Sequence, residues 1–180
     1  MDLSLPDGVR LIDLKSNLDP RGTLVEVYRE SWGLPTLPQL TVVESLAGVM
    51  RGVDVHPDHA DYLMVLKGQI ILGLHDIRPE SPTYGLSSVV TLESKNPNGC
   101  LIPVGVAHGF YFAVATIFML AQTSEWKPVH TLACRWDDPE LGIDWPISGT
   151  PLLSDRHENA SDLESVKSRF NELVANKIEP

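Results

Sequence analysis

Basic residues are scarce in this chain: 14 Lys and Arg stand against 24 Asp and Glu, for a formal net charge of -10 and a pI near 4.9. No cluster of Lys or Arg exists to neutralise a row of phosphates, which excludes sequence-independent nucleic-acid binding; an anionic ligand must be held by a few placed cations. Cysteine is equally sparse. Cys100 and Cys134 are too few for a disulfide framework and lack the C-x-x-C spacing of metal sites, so both are expected to be buried, inert thiols. The N-terminal MDLSLPDGVRLIDL has no basic region leading into an apolar core, so no secretion signal is read there and the reducing cytoplasm is the expected compartment. Cys100 to Thr123 carries no formal charge apart from His108 and approaches the roughly 20 residues of a membrane span. Pro103, Gly105 and Gly109 interrupt it, however, and two buried strands joined through a turn fit better, so no membrane partner is expected.

What the sequence does have is a recurrence of short Val-, Ile-, Leu-, Thr- and Tyr-rich segments between Gly, Pro, Asn and Asp punctuation. They are Thr23 to Tyr28, Leu40 to Ser45, Tyr62 to Leu66, Gln69 to Leu74, Ser87 to Leu92, Gly99 to Ile102, His108 to Ala113 and Phe118 to Thr123. This pattern predicts an all-β sandwich or barrel, and Lys67-Gly68 reads as the turn of a hairpin. Helical periodicity is confined to the end, where Leu163, Val166, Phe170, Leu173 and Val174 share a face and Ser161 with Glu164 has capping-box spacing. With 180 residues, 43% hydrophobic, no repeat and no dividing linker, the chain is expected to form a single core: a barrel over residues 1–160 with a helix within 161–180 packed on it.

Two polar blocks interrupt the apolar pattern. The first, Gly48 to Gly68, offers Asp54-x-His56, then Asp61, then Gly68; the second offers Pro103-x-Gly105-x-x-His108. This arrangement resembles the paired motifs of the cupin superfamily, an antiparallel jelly roll whose metal site draws on such positions. Asp54, His56, Asp61 and His108 would supply two imidazoles and two carboxylates, a set suited to Fe, Mn, Ni or Zn, with His59 as a spare. The same residues also suit a solvated turn, because Asp and Pro favour turns for local reasons.

Further segments narrow the resemblance. Asp19 to Glu26 (DPRGTLVE), Gly48 to Gly52 (GVMRG), Asp76-Ile77-Arg78 with Ser81 to Gly85 (SPTYG), Ile102 to Phe110, and Trp136 to Pro139 with Leu141 to Pro146 follow one another in the order of the dTDP-4-dehydrorhamnose 3,5-epimerase family, over residues of about 10–157. The resemblance implies a cupin jelly roll, usually a homodimer, acting on a dTDP-linked 4-keto-6-deoxy sugar without a cofactor. By position, Arg21 and Glu26 match residues that reach the nucleotide diphosphate, often across the dimer. Gln39 and Arg51 match further nucleotide-sugar contacts, and His108 matches the second active-site histidine. Arginine suits such contacts because its planar fork pairs two oxygens at once.

The departures fall on the chemistry. Asp54 stands where the family has its catalytic histidine, Asp61 where it has a lysine that stabilises an enolate, and Leu120 where it has a proton-delivering tyrosine, for which Tyr62 and Tyr111 are the candidate replacements. His157 stands at the orienting aspartate. If Asp54 and His157 face each other, the dyad is present with its partners exchanged; an imidazole, with a reference pKa of about 6.5 against roughly 3.9 for a carboxylate, is then the better base near neutrality. Asp61 is harder to absorb. Exchanging a cation for an anion about 4 Å from an enolate reverses an interaction of roughly 4 kcal/mol at an effective dielectric near 20. The catalytic candidates are therefore His157, Asp54, His108 and Asp61. The sequence leaves three functions open: an epimerase with a rebuilt acid-base set, a metal-dependent cupin enzyme, and a non-catalytic binder of a sugar nucleotide or a partner protein.

Overall fold

The computed structural model describes residues 4–127 and 131–176. Two five-stranded antiparallel sheets pack face to face as a jelly roll. The first runs in the order β1 (Arg10–Asp13), β9 (Asn98–Ile102), β6 (Asp61–Lys67), β11 (Thr116–Gln122), β4 (Gln39–Ser45). The second runs β12 (Leu132–Ala133), β5 (Val49–Val55), β10 (Val106–Phe112), β7 (Gln69–Asp76), β8 (Ser87–Glu93). A separate hairpin, β2 (Ser16–Asp19) and β3 (Gly22–Val25), lies outside both sheets, and two helices follow, α1 (Asp155–Glu158) and α2 (Leu163–Ala175).

The period of two explains which side chains meet. In β6, Leu63 and Val65 join Leu72, Leu74, Phe110, Phe112 and Phe118 between the sheets, while Tyr62 and Met64 point outward under Leu14, Leu34 and Trp32 of the N-terminal segment. The outer face of the second sheet is covered by Leu163, Val166 and Phe170 of α2 and by Trp136, Ile143 and Trp145. Trp145 lies so close to β7 that a Cβ at Gly73 would come within 2.4 Å of its ring, so only glycine permits this packing. The tryptophan-rich segment that carries much of the family resemblance is thus a structural cover.

Three expectations change. Lys67-Gly68 is not a hairpin turn: β6 and β7 belong to different sheets, and Gly68, with φ of +90°, turns the chain across the sandwich. The expected strand segments do not include β5. Helix α2 is capped by Asp162, whose side chain accepts from Ser165 N at 2.8 Å, and not by Ser161, whose backbone instead bridges to Cys134. Residues 177–180 of the expected helical segment lie outside the described residues. Cys100 and Cys134 are buried free thiols, as expected, with burial pushing both up to about 12. No described helix is long and apolar enough to cross a membrane.

The β7–β8 connection shows how the Asp76-Ile77-Arg78 motif works. Asp76 accepts from Arg78 Nε at 2.8 Å, Arg78 NH2 at 2.7 Å, Ser81 Oγ at 2.6 Å and Thr83 Oγ1 at 2.7 Å, and Arg78 also donates to Asp7 O at 2.6 Å. Burial alone would raise the carboxyl pKa; the donors, Arg78 first, outweigh it and lower the value from 3.8 to about 2. A depressed pKa stabilises the fold above the unfolded value and ceases to do so as pH falls through the folded one. Asp76→Asn is therefore expected to cost roughly 1–3 kcal/mol at pH 7. In urea unfolding, its deficit against the unsubstituted protein should shrink as pH falls from 3.8 towards about 2, and a deficit independent of pH in that window would contradict the assignment.

Candidate active site

A cavity of about 630 Å³ opens between the ends of the two sheets. Its shape depends on a bulge. His108 pairs with Asp54 and Phe110 with Arg51, so one extra residue sits in β5 between them, and Arg51 and Asp54, three apart in sequence, both reach the cavity. Glycine is required at the bulge: Gly52 has φ of +100°, and a Cβ there would lie 2.7 Å from His108 O.

The floor is a carboxylate among imidazoles. Asp61, 2% exposed, has Oδ2 at 3.1 Å from His108 Nε2 and 3.5 Å from His56 Nε2, while Gln122 Nε2, on the neighbouring strand, donates to Oδ1 at 3.3 Å. His108 Nδ1 donates to Val106 O at 2.9 Å, so a second proton on Nε2 is needed for the Asp61 bond, and the ring is an imidazolium. Burial would lower the His108 pKa, but Asp61 more than reverses this; burial would likewise raise the Asp61 pKa, and His108 followed by His56 hold it well below the carboxylate range. His59 is shifted the other way. Burial, followed by the proximity of His56, lowers its pKa, and its neutral ring accepts from Gln122 at 2.9 Å while pairing with Asp58 at 2.8 Å. The His56 ring stacks on His59 with centroids 4.1 Å apart, and its Nδ1 is buried without a hydrogen-bond partner.

The side wall is a histidine-aspartate dyad. His157, on α1, places Nε2 at 3.1 Å from Asp54 Oδ1, and its Nδ1 lies 3.0 Å from Ser154 Oγ. Arg156 donates to the same Asp54 oxygen at 2.7 Å. Burial would raise the Asp54 pKa, but His157 and Arg156 outweigh it and the net shift is downward. An ionised Asp54 only accepts hydrogen bonds, so His157 carries its proton on Nε2 and presents the Nδ1 lone pair.

The sites expected from sequence separate accordingly. Asp54, His56, Asp61, His108, His157, Gln39 and Arg51 all line the cavity. Asp54 is not grouped with the other three candidate metal ligands, because His157 and Arg156 engage it; the group whose ligand atoms lie within 4.8 Å of one another is His56, Asp61 and His108. The spare, His59, has its Nε2 occupied by Gln122. Arg21 and Glu26 do not reach the cavity of this chain; they are exposed and pair with Asp19 and Arg29. Neither tyrosine replaces the missing hydroxyl: Tyr62 faces the opposite side of the sheet and donates to Val27 O at 2.7 Å, and Tyr111 falls on the outer face of β10. Leu120 does line the cavity. Sequence reasoning missed Gln122, Ser154 and Arg156. Gln122 could have been found by counting two residues on from Leu120 along the same strand face, and the other two by their closeness to His157.

A jelly roll with a polar cavity between its sheets defines a cupin-type protein. The sequence profile of the dTDP-4-dehydrorhamnose 3,5-epimerase family matches residues 3–165. A dTDP-4-dehydrorhamnose 3-epimerase from Streptomyces niveus is 34% identical over 165 residues, covering 86% of this chain and 79% of its own length. A dTDP-4-dehydrorhamnose 3,5-epimerase from Neisseria gonorrhoeae is 32% identical over 162 residues, and the chain spans about half, 49%, of that relative. Among solved structures, dTDP-6-deoxy-D-glucose-3,5-epimerase of Legionella pneumophila, in complex with dTDP-4-keto-L-rhamnose, superposes with a TM-score of 0.85 at 29% identity, covering 93% of this chain and 94% of that one. The chain belongs to the dTDP-4-dehydrorhamnose 3,5-epimerase family.

Proposed function

We propose that this chain epimerises a dTDP-linked 4-keto-6-deoxy sugar at a single carbon beside the keto group, with His157 as the base. The dyad carries the reading: the family resemblance puts Asp54 and His157 at each other's positions, and the two meet at 3.1 Å on the cavity wall. Asp54 fixes the His157 tautomer and stabilises the imidazolium that forms when Nδ1 takes the sugar C–H proton. Ser154 Oγ donates to that nitrogen, and a substrate engages it by displacing this rotatable hydroxyl. Charge develops on the keto oxygen as the proton leaves. The His108 imidazolium, which lines the same cavity, is the cation assigned to compensate it. A proton from solvent, delivered to the opposite face of the same carbon, completes the inversion, and His157 Nδ1 releases the proton it took to solvent. The β11 wall at Leu120 carries no hydroxyl, which favours one carbon over two, as in the 3-epimerase named in Streptomyces niveus.

The nucleotide half of the substrate is assigned to the rim, where Gln39 accepts from Trp126 N at 2.8 Å and Arg51 is held by Ser45 at 2.7 Å. Arg21 and Glu26 serve this role from a second copy, in a cytoplasmic homodimer. In support, β4 is an edge strand with Leu40 and Val42 61% and 68% exposed, and the β2–β3 hairpin exposes Leu18 and Leu24. Val42→Asp is expected to give a monomer by light scattering; a dimer in that variant would remove β4 from the interface.

Solvent exchange tests the chemistry. In D2O, the protein should place deuterium at one carbon of a dTDP-4-keto-6-deoxy sugar, read by NMR, and His157→Asn should slow this by about 10²–10⁴-fold while dTDP still raises the melting temperature. An unchanged rate in His157→Asn removes it as the base, and deuterium at two carbons overturns the single-centre reading.

A further inference from the structure

Gln122 ends β11 opposite Asp61, its register partner on β6, and lines the cavity together with Phe118 and Leu120 of the same strand face. The orientation of its amide is fixed by its neighbours. Nε2 lies 3.3 Å from Asp61 Oδ1 and 2.9 Å from His59 Nε2. His108 and His56 hold Asp61 ionised, so its carboxylate only accepts, and the NH2 end of the amide must face it; turned over, the amide would set two acceptors against each other. The second N–H then requires a lone pair on His59 Nε2. His59 supplies one, because burial, followed by the proximity of His56, favours the neutral ring, whose Nδ1–H donates to Asp58 at 2.8 Å.

Both donors of the amide are thus committed within the protein, and its acceptor is not. Among the described residues Gln122 Oε1 accepts from none, and the buried polar atoms left without a partner are elsewhere, on His56 and His75. The residue as a whole is 4% exposed, so the surface that remains to Oε1 opens into the cavity. A carbonyl oxygen there takes a hydrogen-bond donor: a hydroxyl fits, whereas a keto or ether oxygen does not. Asp61 also joins Gln122 to His108, one on each carboxylate oxygen. With the keto oxygen assigned to His108, the group facing Gln122 belongs to a neighbouring carbon.

We infer that Gln122 determines substrate specificity by accepting a hydrogen bond from a free hydroxyl on the sugar carbon beside the keto group. The inference rests on the reading that the sugar occupies this cavity, and not on which residue is the base. Asp61 and His59 act through Gln122 as positioning residues, since they hold its amide with the oxygen outward. A sugar deoxygenated at that carbon leaves Oε1 against an apolar group, an unpaired acceptor that costs affinity.

Equilibrium binding of two unreactive ligands, measured by calorimetry, tests this without turnover: dTDP-6-deoxyglucose, which lacks the keto group, and its 3-deoxy analogue. The hydroxylated ligand is expected to bind the unsubstituted protein about 10–100-fold more tightly. In Gln122→Met, similar in length but without the oxygen, the two ligands should come within about threefold of each other while dTDP binds as before. A purely structural role would weaken both sugar nucleotides alike and leave their ratio intact. Equal affinities in the unsubstituted protein, or a ratio retained in folded Gln122→Met, overturn the inference; the first comparison needs no variant and stands if Gln122→Met does not fold. Either result leaves the His157 exchange experiment unaffected, whereas failure of both sugar nucleotides to bind removes the proposed function as well.

Discussion

A buried carboxylate sets the terms for the rest of this structure. Asp61 is desolvated on a strand between two others, and a lone anion there would cost several kcal/mol. The chain meets this cost with His108 and His56 on one oxygen and Gln122 on the other, and those partners fix what surrounds them. His108 must sit opposite Asp54 on β5, the bulge at Gly52 must turn Asp54 and Arg51 inward together, and the connection between β5 and β6 must place His56 and His59 over the floor. The floor of the cavity is therefore organised around one acidic residue where the family resemblance expects a basic one.

Much of this was legible in the sequence, and the exceptions have physical causes. Strands such as β7, β10 and β11 stood out as short apolar runs bounded by turn residues. β5 did not, because its bulge breaks the period of two and puts Arg51 and Asp54 inside. Lys67-Gly68 looked like a hairpin because turn chemistry reports a change of direction and not which sheet receives the next strand. At the site, the approach of Asp54 to His157 could be read from two reciprocal departures at matched positions. Tyr62 could not be placed without register: as the neighbour of Asp61 on a strand, it must face the other way. The hydrogen bonds that bind Gln122 to Asp61 and His59 join segments about 60 residues apart, and no local pattern announces them.

The two reciprocal changes and the one uncompensated change have different consequences. Exchanging aspartate and histidine across the dyad keeps a base, its orienting carboxylate and their mutual hydrogen bond, and alters only the wall from which the base acts. Exchanging lysine for aspartate cannot be undone by a single partner, and a cluster has grown around it. On the proposed reading, the dyad preserves proton abstraction, while the cluster changes how charge on the keto oxygen is met. Leu120 removes a hydroxyl from the remaining wall and narrows the chemistry further.

Returning the dyad to its family order is the most direct test of this account. Solvent deuterium exchange would be measured for Asp54→His, for His157→Asp and for the double variant on a dTDP-4-keto-6-deoxy sugar. If the two positions form one functional unit, each single variant loses about 10²-fold or more and the double variant recovers to within about tenfold of the unsubstituted protein. A double variant no more active than either single variant would show that the two residues do not act as an exchanged pair.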